Sequence, residues 1–425
     1  MNNQPSTQKD AGKIILEETI QPTPTKAKKG WGRVSQTVLI PILAVITGLI
    51  FGAIFIIITS EQVYAGFNQS FGAGLAAAWK TVATSYGALF AGSIGDPARI
   101  VAAFQSGNTT EIYRAINPFL ESLVASTPYI FGGLAVALGF RAGVFNIGVE
   151  GQIFLGAIFA ALVGYSIKGL PTIIHLPLTF LAGAVGGGLW GLIPGWLKAK
   201  TGGHEVINTI MMNYIAFRLS EYLLNGPMKR PGSVPISPTI EQSAWFPRFF
   251  SDPIRFHLGF FIALAFAWLV YWFLFKTTWG FNLRTVGANP RAGRYAGMNI
   301  VSVTVMAMGL SGALAGLAGA NEVMGINHNL ALAFSSGYGF DSIALALLGK
   351  SHPLGVVLSA LLFGTLRNGA TRMQVVTGIP IDIISILQAV ILAFIAAPAI
   401  IRAIYRLRTP AEGLEDVTVR SWGGD

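Results

Sequence analysis

Long apolar runs constrain this chain more than any other feature of its sequence. Residues 38–59 and 381–399 each approach the roughly 20 residues that an α-helix needs to cross the hydrocarbon core of a membrane. A membrane-spanning β-barrel would require segments of about ten residues in which apolar and polar residues alternate. The continuous apolar run 260–275 does not alternate. The sequence therefore predicts an all-α polytopic membrane protein.

The composition excludes several other classes of protein. Of the 425 residues, 52% are hydrophobic and 11% are charged, whereas a soluble domain has about 25% charged residues. A net charge of +10 would suggest a nucleic-acid partner for a soluble chain, but basic residues beside spans set membrane topology. We therefore expect the lipid membrane as a partner and no nucleic acid. The lack of cysteine excludes disulfides and thiolate metal sites.

Apolar runs separated by helix breakers predict about ten transmembrane helices, including broken helices. They cover residues 37–59, 117–139, 150–167, 173–197, 206–225, 256–275, 300–320, 338–349, 353–369 and 381–402. An even number of crossings puts both ends on one side, and Lys and Arg are enriched in the loops assigned to that side, which predicts cytoplasmic N- and C-termini. Residues 66–94 are apolar enough to lie at the interface or to form a further span.

The predicted domains follow from these spans. Residues 1–36 form a disordered cytoplasmic tail, residues 37–405 the transmembrane domain and residues 406–425 a cytoplasmic C-terminal tail.

One span has glycines at every fourth position, which lie on one helix face and allow a neighbouring helix to approach closely. These glycines are Gly183, Gly187, Gly191 and Gly195, and the span 300–320 has a similar series in Gly312, Gly316 and Ala320.

Two polar, glycine-interrupted segments lie at corresponding positions in the two halves of the chain. Such a pair of broken helices is the best sequence indication of a transporter's central site. The candidate pathway residues are Phe145, Asn146, Glu150 and Gln152 in the first segment and Phe340, Asp341 and Ser342 in the second. Polar groups there could meet a polar solute, and the phenylalanines could stack on it. Alternatively, Asn146 and Asp341 cap the ends of half-helices.

The chain lacks the motifs of an enzyme. Gly349-Lys350-Ser351 resembles the end of a phosphate-binding loop, but Ala344 stands where its first glycine is required. The five histidines fall at span ends or in loops, so neither a metal site nor a membrane-embedded active site is predicted.

Buried ionisable residues such as Glu150 and Asp341 leave open a secondary transporter driven by an ion gradient. A membrane subunit without transport activity has no specific feature in its favour.

The loop 276–299 has the sequence of a short capped helix. Asn289 suits an N-cap, Pro290 the first helical position and Gly297 the C-terminal stop, which predicts about two turns of helix. Its exposed groups would fit a groove on a partner protein, although a solvated loop with chance caps is the alternative. The candidate coupling residues are Arg284, Asn289, Pro290, Arg291, Arg294 and Tyr295.

Several segments resemble those of permease subunits in bacterial ABC importers of the branched-chain amino acid, ribose and nucleoside class. They are residues 143–152 (GVFNIGVEGQ), 205–214 (EVINTIMMNY), 280–299 (GFNLRTVGANPRAGRYAGMN) and 339–344 (GFDSIA). The resemblance runs in order from about residue 117 to 402. Residues 146–152 (NIGVEGQ) and 349–355 (GKSHPLG) are most similar to nucleoside permeases.

The resemblance implies the ABC importer permease fold, a place in the bacterial cytoplasmic membrane, and several partners. These are cytoplasmic ABC ATPase subunits, a second related permease subunit and an extracytoplasmic lipoprotein that binds the solute. ATP and Mg²⁺ would bind to the ATPase subunits, and no cofactor is expected on this chain. The implied function is ATP-driven import of purine or pyrimidine nucleosides by alternating access. A sugar or a branched-chain amino acid is the alternative solute.

Overall fold

The computed structural model describes residues 31–407, apart from the side chains of residues 31–38 and Ala396. This part of the chain contains helices, turns and isolated β-bridges but no β-strand, which confirms the predicted all-α fold. The predicted tails 1–36 and 406–425 lie mostly outside the described residues. Residues 31–36, predicted to belong to the first tail, are instead part of the first helix.

Sixteen α-helices are described. They are α1 (Trp31–Thr59), α2 (Glu61–Gln69), α3 (Phe71–Ser93), α4 (Pro97–Ser106), α5 (Thr109–Arg141), α6 (Val149–Ser166), α7 (Thr172–Thr201), α8 (Glu205–Asn225), α9 (Gly259–Lys276), α10 (Thr278–Ala288), α11 (Pro290–Tyr295), α12 (Ile300–Asn321), α13 (Tyr338–Leu348), α14 (Pro353–Thr377), α15 (Asp382–Ala396) and α16 (Pro398–Ile404). A 3₁₀ turn covers Gln242–Ala244, and a π-helical turn, Glu322–Asn327, continues α12.

Fewer helices than predicted can cross a membrane on their own. In the described chain, seven are long and apolar enough, or eight if α15 and α16, which meet at 89°, form one bent span. The predicted span 206–225 corresponds to α8, which has 21 residues but is more polar. The predicted span 338–349 corresponds to α13, whose 11 residues reach only about 16 Å. The segment 66–94 contains α3, a helix of 23 residues that packs against α14.

The glycine face of α7 packs closely against another helix, as predicted, and that helix is α12. A Cβ atom added to Gly187 would collide with the backbone of Gly312 and would lie 2.6 Å from the Cα atom of Gly316. A Cβ atom on Gly195 would lie 2.7 Å from the Cβ atom of Met308. Because helices in lipid associate through close packing rather than through the hydrophobic effect, these glycines hold the centre of the bundle together.

The two described ends of the chain lie on the side that carries α10 and α11. At that side Arg141, which ends α5, donates hydrogen bonds to the carbonyl oxygens of Lys350 and Ser351, just before α14. Helix α14 then runs antiparallel to α5, so that Gly364 meets Ser126 and Asn368 bonds to Ser122. Helix α15 therefore starts on the opposite side and returns.

Helix α1 is antiparallel to α15, which sets the position of the N-terminal end. Gly48 packs on Ile391 and Gly52 packs on Leu387. The hydroxyl groups of Thr47 and Tyr405 are 3.0 Å apart, so the end of the described chain folds back against α1. The beginning of α1 and the end of α16 thus leave the bundle on the same side.

We predict that Gly187→Ala destabilises the protein, whereas Gly188→Ala on the same helix does not. The added methyl group at Gly187 meets rigid backbone, and overpacking of this kind costs about 1–3 kcal/mol. At Gly188 the nearest atom to the new Cβ is 3.4 Å away, which is ordinary contact. The midpoint of thermal unfolding in detergent measures both effects. Equal midpoints for the two variants would contradict the close packing of α7 on α12.

Candidate functional site

The first predicted break lies between α5 and α6 and is held together by Asn146. Gly143 allows the sharp turn with a φ of +70°. The Oδ1 atom of Asn146 accepts a hydrogen bond from the Gly148 amide at 3.0 Å, and its Nδ2 atom donates to Gln152 and to Ser311, each at 2.8 Å. Asn146 and Gln152 are both buried. Their amide groups therefore tie the break to α12.

A second asparagine, Asn213 on α8, also stabilises this break. Its Oδ1 atom accepts a hydrogen bond from the Gly151 amide at 2.8 Å, and its Nδ2 atom donates to the carbonyl oxygen of Ile147 at 3.0 Å. Asn213 was not among the predicted site residues, although it belongs to the segment 205–214 that carried the resemblance. It satisfies backbone groups that an interrupted helix leaves free.

Glu150, in the first turn of α6, joins the first break to the second. Its Oε1 atom accepts a hydrogen bond from the hydroxyl group of Ser335 at 2.6 Å, and its Oε2 atom accepts one from the Gly339 amide at 2.5 Å. The side chain is only 2% exposed. A carboxylate in this position satisfies a free amide and interacts favourably with the positive amino end of α13.

The second break brings a charged and aromatic cluster together. Asp341 accepts a hydrogen bond from the hydroxyl group of Tyr129 at 2.8 Å and lies 3.5 Å from the guanidinium group of Arg367. Arg367 also lies 5.0 Å from the ring centroid of Tyr338, a cation–π distance. Asp341 and Arg367 are partly exposed, and Phe340 is 46% exposed. This cluster offers a carboxylate, a guanidinium group and aromatic faces to a polar solute.

The remaining predicted pathway residues are less accessible. Ser342 is buried, packs on Gly132 and donates a hydrogen bond to the carbonyl oxygen of Tyr338 at 2.7 Å. Phe145 is partly buried, and its ring stacks on Phe140 with centroids 5.4 Å apart. Of the seven predicted residues, Phe340 is exposed and Asp341 partly exposed, whereas Asn146, Glu150, Gln152 and Ser342 are buried.

Tyr129 and Arg367 were missing from the sequence prediction. Arg367 carried a usable signal, because it is an arginine inside the predicted span 353–369 and a charge at membrane depth usually marks a functional site. Tyr129 carried no such signal. It lies in an apolar stretch of α5, and its role follows from packing against a helix more than 200 residues away.

The predicted coupling residues divide between two short helices. Asn289 caps α11 as expected, because its Oδ1 atom accepts hydrogen bonds from the amides of Arg291 and Ala292. Arg291, Arg294 and Tyr295 are exposed on α11, and Tyr295 is 95% exposed. Arg284 lies on α10 instead and packs over the ring of Phe275, with 5.0 Å between guanidinium carbon and ring centroid. Arg284 is therefore not part of the exposed face.

We predict that Glu150→Gln loosens the second break. The amide that replaces one carboxylate oxygen can no longer accept from both Ser335 and Gly339, and a hydrogen bond to a charged group contributes about 1.5–3 kcal/mol. Hydrogen exchange measured by mass spectrometry should become faster in residues 335–341. Glu221→Gln, at an exposed ion pair on α8, should leave that segment unchanged. Unchanged protection in the Glu150 variant would argue against the link between the breaks.

Comparison with known proteins places the chain among transport permeases. Residues 119–396 match the family described as branched-chain amino acid transport system / permease component. The chain is 40% identical to the guanosine ABC transporter permease protein NupP of Bacillus subtilis (strain 168) over 370 residues, which cover 86% of this chain and 94% of NupP. No solved structure matches the chain.

Two further relatives differ in the solute that they are named for. The nucleoside ABC transporter permease protein NupB of Lactococcus lactis subsp. cremoris is 30% identical over 379 residues, 86% of this chain and 93% of NupB. The glucose ABC transporter permease protein TsgB13 of Haloferax volcanii is 37% identical over 288 residues, 65% of this chain and 75% of TsgB13. The chain belongs to the branched-chain amino acid transport system permease family, and is therefore a multi-pass membrane permease of an ABC importer.

Proposed function

We propose that this chain forms the membrane pathway of an ABC importer for nucleosides. The observation that carries the proposal is the 40% identity to a guanosine permease along 94% of that protein's length. The similarity to NupB, which is named for nucleosides and is covered over 93% of its length, adds to it. An ion-coupled secondary transporter is disfavoured because the family consists of ABC permeases.

The exposed cluster at the second break suits a nucleoside chemically. A nucleoside is neutral and combines hydroxyl groups with a flat base. Asp341 would accept hydrogen bonds from ribose hydroxyl groups, and Phe340 would stack on the base. Phe145 would add a second aromatic face. Asn146, Glu150, Gln152 and Ser342 would act on the pathway by fixing the two breaks, since their polar atoms are buried in hydrogen bonds.

Glucose is the second candidate solute, because the chain is 37% identical to the glucose permease TsgB13. A sugar would use the carboxylate of Asp341 as ribose does, but it has no base to stack on Phe340. The coverage of TsgB13 is lower, at 75% of its length. A contribution of Phe340 to solute binding, through stacking on a base, would therefore distinguish a nucleoside from glucose as the solute.

Helix α11 is the proposed contact for cytoplasmic ATPase subunits. Its exposed Arg291, Arg294 and Tyr295 would enter a groove on the ATPase, and closure of the ATPase dimer on ATP would push on the helix. ATP and Mg²⁺ would be held by those subunits. This assignment puts α10, α11 and both described chain ends in the cytoplasm, in agreement with the distribution of Lys and Arg.

A second permease and an extracytoplasmic lipoprotein complete the proposed importer. Phe340 and Asp341 lie at the surface of the chain, so a related permease subunit facing them would close the pathway. The segment 226–258, which connects α8 to α9 on the side away from α11, would face the solute-binding lipoprotein. The proposed site of the assembly is the bacterial cytoplasmic membrane.

We predict that Arg291→Glu abolishes uptake and assembly with the ATPase while the protein still inserts into the membrane. The reversed charge sits on the exposed face of α11 and meets no other part of the described fold, so the effect requires a partner. Arg218→Glu, at an exposed arginine on α8, is the control. Copurification of the ATPase and uptake in cells measure both steps. Normal uptake in the Arg291 variant would rule out the coupling role.

The proposed solute is tested by uptake in cells that depend on this importer. We predict saturable uptake of radiolabelled guanosine that unlabelled nucleosides compete for and that glucose and leucine do not. Phe340→Ala should raise the half-saturating concentration about tenfold, because an aromatic stacking contact contributes about 1–3 kcal/mol. Uptake of glucose in place of guanosine would establish the second candidate and refute the first.

A further inference from the structure

The C-terminal end of α12 contains buried polar groups that the proposed pathway does not use. The α-helix ends at Asn321 and continues as the π-helical turn Glu322–Asn327. Asn321 is fully buried and Glu322 is 3% exposed. Single π-helical turns are rare and occur often at functional sites. Side chains of this kind at membrane depth need partners, because leaving them without any costs several kcal/mol.

His257 lies beside this turn, at the start of α9. Its Nδ1 atom accepts a hydrogen bond from the Gly259 amide at 3.1 Å, and its ring stacks on Phe246 with centroids 5.7 Å apart. Burial lowers the pKa of His257 to about 4, so the ring is neutral at neutral pH. Because Nδ1 is the acceptor, the proton of the neutral ring is on Nε2.

Two glycines place the side chains of Asn321 and His257 next to each other. A Cβ atom on Gly259 would collide with the Oδ1 atom of Asn321 and would lie 2.8 Å from the ring of His257. A Cβ atom on Gly325, in the π-helical turn, would lie 2.5 Å from Nε2 of the same ring. His257 is thus enclosed between the start of α9 and the π-helical turn, next to Asn321.

Several polar atoms at this end of α12 and at the start of α9 lack protein partners. Within residues 31–407, no hydrogen bond reaches Oδ1 or Nδ2 of Asn321, Oε1 of Glu322 or Nε2 of His257. The nearby guanidinium group of Arg255 is engaged by Glu121 at 2.6 Å. Buried polar atoms in native proteins nearly always have a partner, which is an ordered water or a ligand where the protein supplies none.

The mixture of donors and acceptors identifies the chemistry of the missing partner. Nδ2 of Asn321 and Nε2 of His257 donate, whereas Oδ1 of Asn321 and Oε1 of Glu322 accept. A metal ion would need acceptors alone, and the described residues contain no group of three His, Asp or Glu side chains arranged for one. A hydroxyl group or a water molecule both donates and accepts, so it fits this set.

We propose that Asn321 and His257, together with Glu322 next to Asn321 in the chain, form a buried site for a hydroxyl-bearing ligand, either ordered water or a hydroxyl group of the transported solute. Glu322 interacts electrostatically with Tyr338 and Arg367, so the site adjoins the cluster around Asp341. The solute as source rests on the proposed nucleoside transport, whereas water as source does not. The existence of this site can therefore be tested separately from the proposed nucleoside transport.

Whether Asn321→Leu raises or lowers the midpoint of thermal unfolding tests whether the site is filled. In a filled site, Asn321→Leu displaces the ligand or removes its partners and leaves Glu322 and His257 unsatisfied, so the midpoint of thermal unfolding should fall. In an empty site the same change removes two unsatisfied atoms, and the midpoint should rise. Thr179→Val is the comparison, because it removes another buried hydroxyl group that has no partner in the described chain. A rise for Asn321→Leu, measured both without and with guanosine, would overturn the proposal.

A second measurement covers the case in which the Asn321 variant does not fold. An electron cryomicroscopy map of the wild-type importer, at a resolution that shows ordered water, should contain density between the three side chains. A map without density there in both the resting and the solute-loaded importer would overturn the proposal.

The source of the hydroxyl group is identified with Glu322→Gln in the complete importer. If the solute provides it, the variant should lose part of the wild-type preference for guanosine over its 2′,3′-dideoxy analogue, and the contact with Asp341 should keep the rest. If water provides it, the preference should stay the same and the resting map should show the density. Both outcomes uphold the site. Failure of the wild-type importer to carry any nucleoside would refute the proposed function while leaving the stability test valid.

Discussion

The carboxylate of Glu150 joins two interrupted helices that neither half of the chain could stabilise alone. A helix that breaks inside a membrane exposes amide and carbonyl groups, which have no water to bind and must find partners within the protein. Glu150 supplies acceptors to Ser335 and Gly339 across a separation of 185 and 189 residues. Asn146 and Asn213 satisfy the first break itself. The irregular backbone at the centre of the bundle exists because these few polar side chains replace water.

The polar side chains that stabilise the two breaks differ from those proposed to recognise the solute. Side chains whose polar atoms all bond within the protein, such as Asn146 and Glu150, have little capacity left for a solute. Asp341 differs because it is partly exposed and because Tyr129 and Arg367 both approach the same oxygen, Oδ2. A partly exposed ion pair is less costly to rearrange than a buried one, since water can replace a lost partner. The proposed solute contacts are therefore the groups that can exchange partners during transport.

Local chemistry allowed much of this fold to be predicted from the sequence. Apolar runs predicted the long helices, and Asn289 predicted the start of α11. The spacing of Gly183, Gly187 and Gly191 predicted a closely packed helix face on α7, but not that α12 is its partner. Features that depend on distant packing were missed. Apolarity alone made α13 look like a span, although its 11 residues end where Lys350 and Ser351 adopt positive φ angles. The contact of Arg284 with Phe275 and the pairing of Tyr129 with Asp341 depend on the folded bundle.

The contact between α10 and the first break gives the proposed push on α11 a physical route. Gly143 in the break meets the backbone of Gly287 in α10, and a Cβ atom on Gly143 would lie 2.9 Å from the Cα atom of Gly287. No side chain separates the two segments to absorb a displacement. A movement of α10 would therefore shift the break directly, and Glu150, at the start of α6, would transfer the shift to the amino end of α13. Because Asp341 lies in the first turn of α13, ATPase closure would reach the proposed solute contacts through the contact of Gly287 with Gly143 and the hydrogen bond from Gly339 to Glu150.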